Sequence, residues 1–384
     1  MPIREVLQML LDGEPLSVSH AQGVFEDMLG GLLDEGQIAS FLTLIQVRGV
    51  TDDVLVAGAN VMRRHATHIP GVELLPGLVL DTCGTGGAPK TFNISTAVAI
   101  VVAAAAGPGS DRLGMAAAAG TDGLPARKPV YVAKHGGRSR TGRGSADVLG
   151  LLGVNVDASA DVQAKCLREA GVCFSFAVHH HPAMKHAAGP RRSLGFATIF
   201  NLLGPLTNPG RATHQLLGVY DKAAAETVAR ALARLGTMHA WVVHGSDGLD
   251  EISISGPTHV VRVDRANEAG GVEGVATVRA TNFDAADYGI ARAPLEALSC
   301  DDVKASAERV MGVLLGGLES GQKGNSDPCA RASRDIVCIN AAAALYVAGA
   351  ARSIEEGLNL AEYAINTGEA LRTLWLLRTI SHEA

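Results

Sequence analysis

The sequence is poor in aromatic residues and has no excess of positive charge, and each shortage excludes a class of protein. Aromatic residues make up only 4% of the 384 residues, so Ala, Val, Leu and Ile must build most of the interior. The formal net charge of −6 argues against a general nucleic-acid or membrane-surface binder, because such proteins present a basic face. Any anion is therefore expected to be bound by a local arrangement of residues.

Cysteine pairs and long apolar runs are also lacking. The six cysteines show no CxxC spacing, which argues against a structural zinc site or a disulfide framework and favours a reducing compartment. The first residues are too charged for a signal peptide, and no apolar run reaches the roughly 18 residues of a membrane span. We therefore expect a cytoplasmic protein without membrane contact.

The hydrophobic pattern changes near residue 72. Helical periodicity without strand signals predicts a small all-α domain over residues 1–72, joined by later helices from about 183–210. Over residues 73–384, strands and helices alternate, which predicts an α/β domain with a mostly parallel central sheet flanked by helices. Predicted strands cover 78–81, 130–133, 172–176, 216–219, 240–244 and 258–263, and predicted helices cover 95–106, 145–152, 160–170, 221–235, 301–315, 331–349 and 354–366. Segments 108–129 and 316–328 show no period and are predicted to be irregular.

A glycine-rich turn follows the first predicted strand. Gly84, Gly86 and Gly87 separate this strand from an alanine-rich helix, and such a turn with a helix N-terminus typically binds an anion such as phosphate. The alternative is a turn that only connects strand and helix. The absence of GxxxxGK[ST] and GxGxxG spacing excludes a Walker loop and a dinucleotide fingerprint.

Basic residues dominate the loop after the second predicted strand. Lys134, Arg138, Arg140 and Arg143 alternate with glycines before a helix that begins near Ser145. Because the whole chain is acidic, this loop favours binding of a polyphosphate or sugar phosphate over an ordinary solvated charge run.

Carboxylates and histidines follow two further strands. Asp247, Asp250 and Glu251 lie within five positions, a pattern that favours Mg²⁺ binding over simple solvated caps. His179, His180 and His181 are consecutive and cannot easily point at one ion, so lining of a cleft is the favoured interpretation. Arg191 and Arg192 are either surface arginines or a clamp for a carboxylate. Because ligands bind at the carboxyl ends of parallel strands, we expect these loops to converge on one cleft.

Taken together, these motifs resemble those of the anthranilate phosphoribosyltransferases over nearly the whole chain. The resemblance rests on GTGG and FNIST between 84 and 96, KHG at 134–136, GSADVL at 144–149, HHPAMKH at 180–186, FNLLGPLTNP at 200–209, DGLDEIS at 247–253 and RDIVCINAAAALYVAG at 334–349. It implies the fold of the nucleoside phosphorylase-like phosphoribosyltransferases and transfer of the 5-phosphoribosyl group from phosphoribosyl pyrophosphate (PRPP) to the amine of anthranilate, a step of tryptophan biosynthesis. It also implies a homodimer joined through the helical parts, and no nucleic-acid partner.

The resemblance also implies roles for individual residues. PRPP would be held by Gly84, Thr85, Gly86, Gly87, Asn93, Ser95, Thr96, Lys134 and Arg138. Mg²⁺ would be bound by Ser95, Asp250 and Glu251, and the catalytic residues would be Lys134, Asp250 and Glu251. The acceptor would be lined by His135, Gly137, His181 and Arg191.

Three motifs depart from the family pattern. Ala88 stands where GTGGD has its aspartate, Gly137 stands where KHGN has its asparagine, and Thr141 with Gly142 replaces a serine pair. These departures leave open a paralogue that uses PRPP with another aromatic or heterocyclic acceptor. A non-enzymatic, nucleic-acid-binding relative is a remote alternative, because it would not need the DGLDE segment.

Overall fold

A central sheet organises the chain. The computed structural model describes residues 1–110, 127–138, 143–267, 273–316 and 327–383. Its strands are β1 (Leu78–Gly84), β2 (Val130–Gly136), β3 (Val172–Phe176), β4 (His214–Gly218), β5 (His239–Gly245), β6 (Thr258–Asn267) and β7 (Glu273–Phe283). They form one seven-stranded sheet in the order β3-β2-β1-β4-β5-β6-β7.

The sheet is mostly parallel, as the sequence predicts. Strands β1 to β5 pair in parallel, whereas β6 and β7 continue the sheet as an antiparallel ribbon. All the predicted strands are present, with β1, β2 and β6 a few residues longer than predicted. Strand β7 was not predicted. It lies at the edge of the sheet, where Val275 is 86% exposed, so its sequence lacks the apolar run of a buried strand.

Helices precede the sheet and cover both of its faces. The N-terminal ones are α1 (Ile3–Asp12), α2 (Val18–Leu29), α3 (Glu35–Arg48) and α4 (Asp52–Arg64). Side chains cap three of them: Ser17, Asp34 and Thr51 each accept a hydrogen bond from a backbone N–H in the first helical turn. Asp34 forms a complete capping box with Gln37.

The remaining helices lie between and after the strands. They are α5 (Ile94–Ala106), α6 (Ser145–Leu151), α7 (Ala160–Ala170), α8 (Ala177–His180), α9 (Lys185–Leu194), α10 (Ile199–Leu203), α11 (Lys222–Arg234), α12 (Val303–Leu315), α13 (Pro328–Val347), α14 (Ile354–Asn366) and α15 (Glu369–Ser381). Helix α15 was not predicted. It begins after Gly368, which has φ +79° and offers no capping side chain, so the usual start signal is missing.

Two hydrophobic clusters occupy the two faces of the sheet. On β5, Trp241 and Val243 belong to one cluster, together with residues of α5 and α13, while Ala240 and Val242 belong to the other. This alternation follows the two-residue period of a strand. The second cluster also contains the buried residues of α1 to α4, so the N-terminal helices share a core with the sheet.

Some predictions are left untested by this architecture. The division into domains at residue 72 stays a prediction. The irregular segments at 108–129 and 316–328, and residues 139–142 of the basic loop, lie largely outside the described residues. In the described part of the chain, no helix combines the length and the apolar character needed to cross a membrane.

Candidate active site

The candidate site lies where the strand order reverses. β1 and β4 are neighbours whose connections leave in opposite directions, and ligands of open α/β sheets bind in the crevice at such a point. Gly84 and Gly218 end these strands and lie opposite each other. A Cβ on Gly84 would stand 2.4 Å from Asp250 Oδ2, and one on Gly218 would stand 1.5 Å from the Asp250 carbonyl oxygen. The two glycines therefore make room for Asp250 in the crevice.

The glycine loop is anchored to β4 and open on its other side. The Thr85 N–H donates to the Gly218 carbonyl at 2.9 Å, and the Thr85 hydroxyl accepts from the Tyr220 N–H at 3.1 Å. Gly86 and Gly87 have φ of +68° and +97°, in the left-handed region that glycine adopts without strain. These two glycines therefore allow the loop to bend sharply between β1 and the start of α5.

Ser95 and Lys134 meet at the first turn of α5. The buried Lys134 ammonium donates to the Ser95 hydroxyl at 3.0 Å and to the Thr82 carbonyl at 2.8 Å. Burial lowers the pKa of Lys134, and the negative charges of Asp81 and Glu251 oppose this shift. The next residue, Thr96, is buried and its hydroxyl has no hydrogen-bond partner among the described residues.

The two predicted metal ligands lie beside these groups. Burial raises the pKa of Asp250, against a hydrogen bond from the Gly86 backbone N–H. Burial and the charge of Asp250 raise the pKa of Glu251 to about 8, against Lys134 and the Ser95 backbone N–H. Two adjacent carboxylates and a hydroxyl are hard oxygen donors, and their mutual repulsion would be relieved by a cation, so the donor set fits Mg²⁺.

Asp247 does not belong to this donor set. Its carboxylate accepts from the Ser253 hydroxyl at 2.6 Å and from the Leu249 N–H at 3.2 Å, which stabilises the turn. Within the described ranges, no group of three or more His, Cys, Asp and Glu side chains is arranged to hold a metal ion. A magnesium ion here would need oxygens from a bound ligand or water, which is its usual preference.

His135, in β2, and His181, directly after α8, lie side by side. Their ring centroids are 5.1 Å apart with an edge-to-face orientation. Burial lowers the pKa of His135 well below its ordinary value and lowers the pKa of His181 to about 4. Both rings are therefore neutral near pH 7. The Nε2 atom of His135 is buried and has no hydrogen-bond partner among the described residues.

The remaining predicted residues are less closely assembled. Gly137 follows β2, and a Cβ placed on it would meet no atom of the described residues within 4 Å. Arg191 packs its guanidinium over the Phe200 ring at 5.0 Å. Arg138 lies 3.6 Å from the Asp147 carboxylate and over the Phe176 ring, so its side chain is directed along its own loop in this structure.

Two residues that sequence reasoning missed, Asp81 and Ser306, hold residues of the site in place. Asp81, fully buried, accepts from the His135 N–H at 3.3 Å and from the Asn208 amide at 2.7 Å. Ser306 of α12 accepts from the Asn93 N–H at 2.9 Å and donates to its side-chain oxygen at 2.8 Å. Asp81 is a charged residue at the end of the predicted strand 78–81 and could have been suspected. No sequence signal links residues 93 and 306.

Comparison with known families agrees with this architecture. The "Glycosyl transferase family, helical bundle domain" matches residues 4–66, and the "Glycosyl transferase family, a/b domain" matches residues 113–371. The second match covers more than half of the chain. The protein is therefore a member of this glycosyl transferase family, with the helical and α/β parts in the order that the structure shows.

Individual relatives narrow the family further. The anthranilate phosphoribosyltransferase of Methylococcus capsulatus is 42% identical, with 100% of this chain and 99% of that protein aligned. The crystal structure of the Thermus thermophilus enzyme has a TM-score of 0.78 at 32% identity and covers 98% of this chain and 99% of its own. The Saccharomyces cerevisiae enzyme, solved in complex with PRPP and Mg, has a TM-score of 0.78 at 25% identity and covers 99% of this chain and 97% of its own. The chain belongs to the anthranilate phosphoribosyltransferases.

Proposed function

We propose that this protein transfers the 5-phosphoribosyl group of PRPP to the amine of anthranilate and releases pyrophosphate. The observation that carries the proposal is the position of Asp250, which lies between the ends of β1 and β4 where Gly84 and Gly218 leave room for it. The glycine loop, the buried Lys134 and the carboxylates of Asp250 and Glu251 lie near one another, which supports the proposal that they bind one ligand. Groups of these kinds can bind a diphosphate ester and stabilise the negative charge of its leaving pyrophosphate.

The loop and the start of α5 are proposed to bind PRPP. Gly84, Thr85, Gly86 and Gly87 would form the loop that surrounds the phosphates, since a glycine loop and a helix N-terminus stabilise negative charge. The Thr85 N–H bonds to the Gly218 carbonyl and the Gly86 N–H bonds to Asp250, so these two groups hold the loop itself in place. The side chains of Asn93, Ser95 and Thr96 would provide further polar contacts, and Thr96 has an unpaired buried hydroxyl for this role. Arg138 would have to leave Asp147 to reach a ligand phosphate.

Ser95, Asp250 and Glu251 are proposed to hold Mg²⁺. When bound there, the ion would neutralise negative charge on the departing pyrophosphate. Lys134 contributes a fixed positive charge to the same crevice, and its bond to the Ser95 hydroxyl sets the orientation of that side chain. The protein thereby stabilises charge that develops as the ribose–pyrophosphate bond breaks.

His135, Gly137, His181 and Arg191 are proposed to receive the acceptor. An aromatic amine is nucleophilic when neutral, so positioning rather than strong base catalysis is the main requirement. The neutral histidine pair provides an uncharged wall. Arg191 would pair with the anthranilate carboxylate.

The assay follows the loss of anthranilate with purified protein, PRPP and Mg²⁺. We expect turnover that requires all three, and a fall of about a hundredfold or more in kcat for Asp250→Asn, because a charge-stabilising group is removed. Asp161→Asn is the matched control, since Asp161 lies exposed in the first turn of α7. Circular dichroism checks that both variants are folded.

Two results would contradict the proposal. Full activity of Asp250→Asn, or full activity after metal removal, would refute the assignment of the carboxylates. Normal PRPP binding without turnover of anthranilate would refute anthranilate as the acceptor, and trials with other aromatic and heterocyclic amines would then test the paralogue.

The assembly and location of the enzyme also belong to the proposal. We expect a homodimer joined through the helical parts, where Leu11, Leu32 and Val47 are 64%, 75% and 77% exposed and offer apolar surface. All six cysteines are free, as expected in a reducing compartment, and a cytoplasmic location stays a prediction.

A further inference from the structure

A second cavity lies at the amino ends of β4 and β5, whereas the candidate active site lies at the carboxyl ends of the parallel strands. Its volume is about 450 Å³, within the range of small-molecule pockets. It is bounded by the end of α4, by residues 205–213 before β4 and by the turn at 235–237 before β5. Thr213 on its wall precedes Gly218 by five residues of extended chain, which span about 16 Å. Asn208, which also lines the cavity, donates to Asp81 of β1.

Three arginines line this cavity, and one of them is paired with a carboxylate. Arg63 donates to two backbone carbonyls, those of Leu206 at 2.9 Å and Leu235 at 3.1 Å. Behind the wall, Arg265 donates to the carbonyl of Thr237. Arg64 also lines the cavity and is paired with Glu26. No Asp or Glu occurs among the described residues that line the cavity.

Arg211 lines the cavity and has an unusual backbone conformation with a positive φ. Its φ of +51° lies in the left-handed region, where no other non-glycine residue of the described chain is found. This backbone conformation costs about 1 kcal/mol or more for a residue with a side chain. Its guanidinium is exposed and forms no ion pair or hydrogen bond with the described residues. Strained residues of this kind cluster at binding sites.

His68 supplies a second unsatisfied group. Its Nδ1 atom is buried and has no hydrogen-bond partner among the described residues. A buried ring nitrogen without a partner loses free energy relative to one that is hydrogen-bonded, so a ligand atom is the natural partner. Pro205, Leu206 and Leu235 provide an apolar wall next to these polar groups.

We propose that this cavity binds a small organic phosphate monoester. Arg63, His68 and Arg211 would contact the phosphate, and the apolar wall would contact the organic part. A dianion is favoured over a carboxylate because the guanidinium groups of Arg63 and Arg211 have no carboxylate partner among the described residues. The site is separate from the crevice of the proposed transferase reaction and does not depend on that reaction.

The test uses calorimetric titration of the full-length protein with phenyl phosphate. We expect Arg211→Gln to weaken binding about tenfold or more, because a charge-assisted hydrogen bond is lost. His68→Ala should also weaken it, whereas Arg4→Gln, which removes an exposed charge from α1, should bind as the wild type does. Measured kcat and KM for PRPP should be unchanged in Arg211→Gln, which separates this cavity from the glycine loop.

Benzoate, titrated in parallel, decides the nature of the anion. Weaker binding of benzoate than of phenyl phosphate supports the phosphate assignment, and equal binding overturns it. Equal binding of phenyl phosphate to Arg211→Gln, His68→Ala and Arg4→Gln would show that the cavity is not a binding site for this group.

Discussion

Several side chains of the candidate site are held by residues far away in sequence. Asn93, at the start of α5, illustrates this, since its N–H and its side-chain oxygen both bond to the Ser306 hydroxyl. Its amide nitrogen donates to the Arg143 carbonyl at 3.3 Å. The orientation of Asn93 is therefore set by α12 and by the basic loop together.

Replacement of Ser306 tests this positioning role. We expect Ser306→Ala to raise KM for PRPP several-fold while changing kcat little, because Asn93 loses both of its hydrogen bonds to Ser306 and keeps only the one to the Arg143 carbonyl, while no charge is removed. Ser306→Thr, which keeps the hydroxyl, should restore much of the affinity. Ser333→Ala is the control, because it removes another buried helical hydroxyl, which donates to the Cys329 carbonyl and accepts from Arg309 but does not contact Asn93. An unchanged KM in Ser306→Ala would argue against positioning.

Buried histidines make the stability depend on pH. Burial, and then the charge of His239, lower the pKa of His214 to about 4, against about 6.5 in the unfolded chain. Between these values the unfolded chain binds the extra proton, so stability is present above pH 6.5 and is lost as the pH falls toward 4. The loss amounts to about 1.4 kcal/mol per pH unit for one such histidine.

Urea denaturation between pH 7 and 4.5 measures this effect. We expect the free energy of unfolding to fall as the pH decreases, and His214→Gln to reduce the slope by close to one proton. His382→Gln, at the exposed C-terminal end, should leave the slope unchanged. Equal slopes for wild type and His214→Gln would contradict a neutral, buried His214.

At the scale of elements, helix α13 holds the carboxylate loop. Asn340, fully buried in α13, accepts from the Ile252 N–H and donates to the Ile252 carbonyl, both at 2.9 Å. Ile252 directly follows Glu251. The backbone that carries the two metal-binding candidates is thus held by one side chain of a distant helix.

Asn340→Leu should therefore damage both stability and activity. It leaves two buried backbone groups of Ile252 unpaired, at about 1–3 kcal/mol each, and frees the loop. We expect a lower midpoint of thermal unfolding and a higher Mg²⁺ concentration for half-maximal activity. Asn366→Leu, at the exposed end of α14, is the control. Loss of stability with an unchanged Mg²⁺ requirement would show that Asn340 does not position the loop.

At the scale of the whole molecule, the N-terminal helices do not form a separate core. Gly58 of α4 lies where a Cβ would come 2.9 Å from both Phe25 of α2 and Leu203 of α10. The same cluster includes Leu217 of β4 and Val242 of β5. Packing therefore extends without a break from the N-terminal helices to the sheet.

Calorimetry of Gly58→Ala tests this continuity. We expect one unfolding transition in the wild type, and one transition at lower temperature in Gly58→Ala, because overpacking a core costs about 1–3 kcal/mol. Gly23→Ala, in α2, meets no atom within 4 Å and should be stabilising by up to about 1 kcal/mol through helix propensity. Two transitions, of which Gly58→Ala shifts only one, would show independent domains.

Local signals in the sequence were enough to predict much of this molecule. The alternation of strands and helices, the glycine turn at 84–87 and the DGLDE segment depend on contacts within a few residues, so their patterns can be read directly. Strand β7 and helix α15 were missed because an exposed edge strand and an uncapped helix lack those local signals. Asp247 was grouped with the metal-binding candidates because spacing cannot show that its carboxylate caps its own turn.

The sequence by itself thus determined the fold class, the family and the residues that could carry the chemistry. Only the tertiary structure decided which of these residues lie close enough to act together. Four features join residues that are distant in the chain. They are the contact of Asp250 with Gly84, the hydrogen bond from Ser306 to Asn93, the hydrogen bonds between Asn340 and Ile252, and the second cavity around Arg211. Such contacts arise from strand order and packing of the whole core, and these are properties of the assembled chain rather than of any local segment.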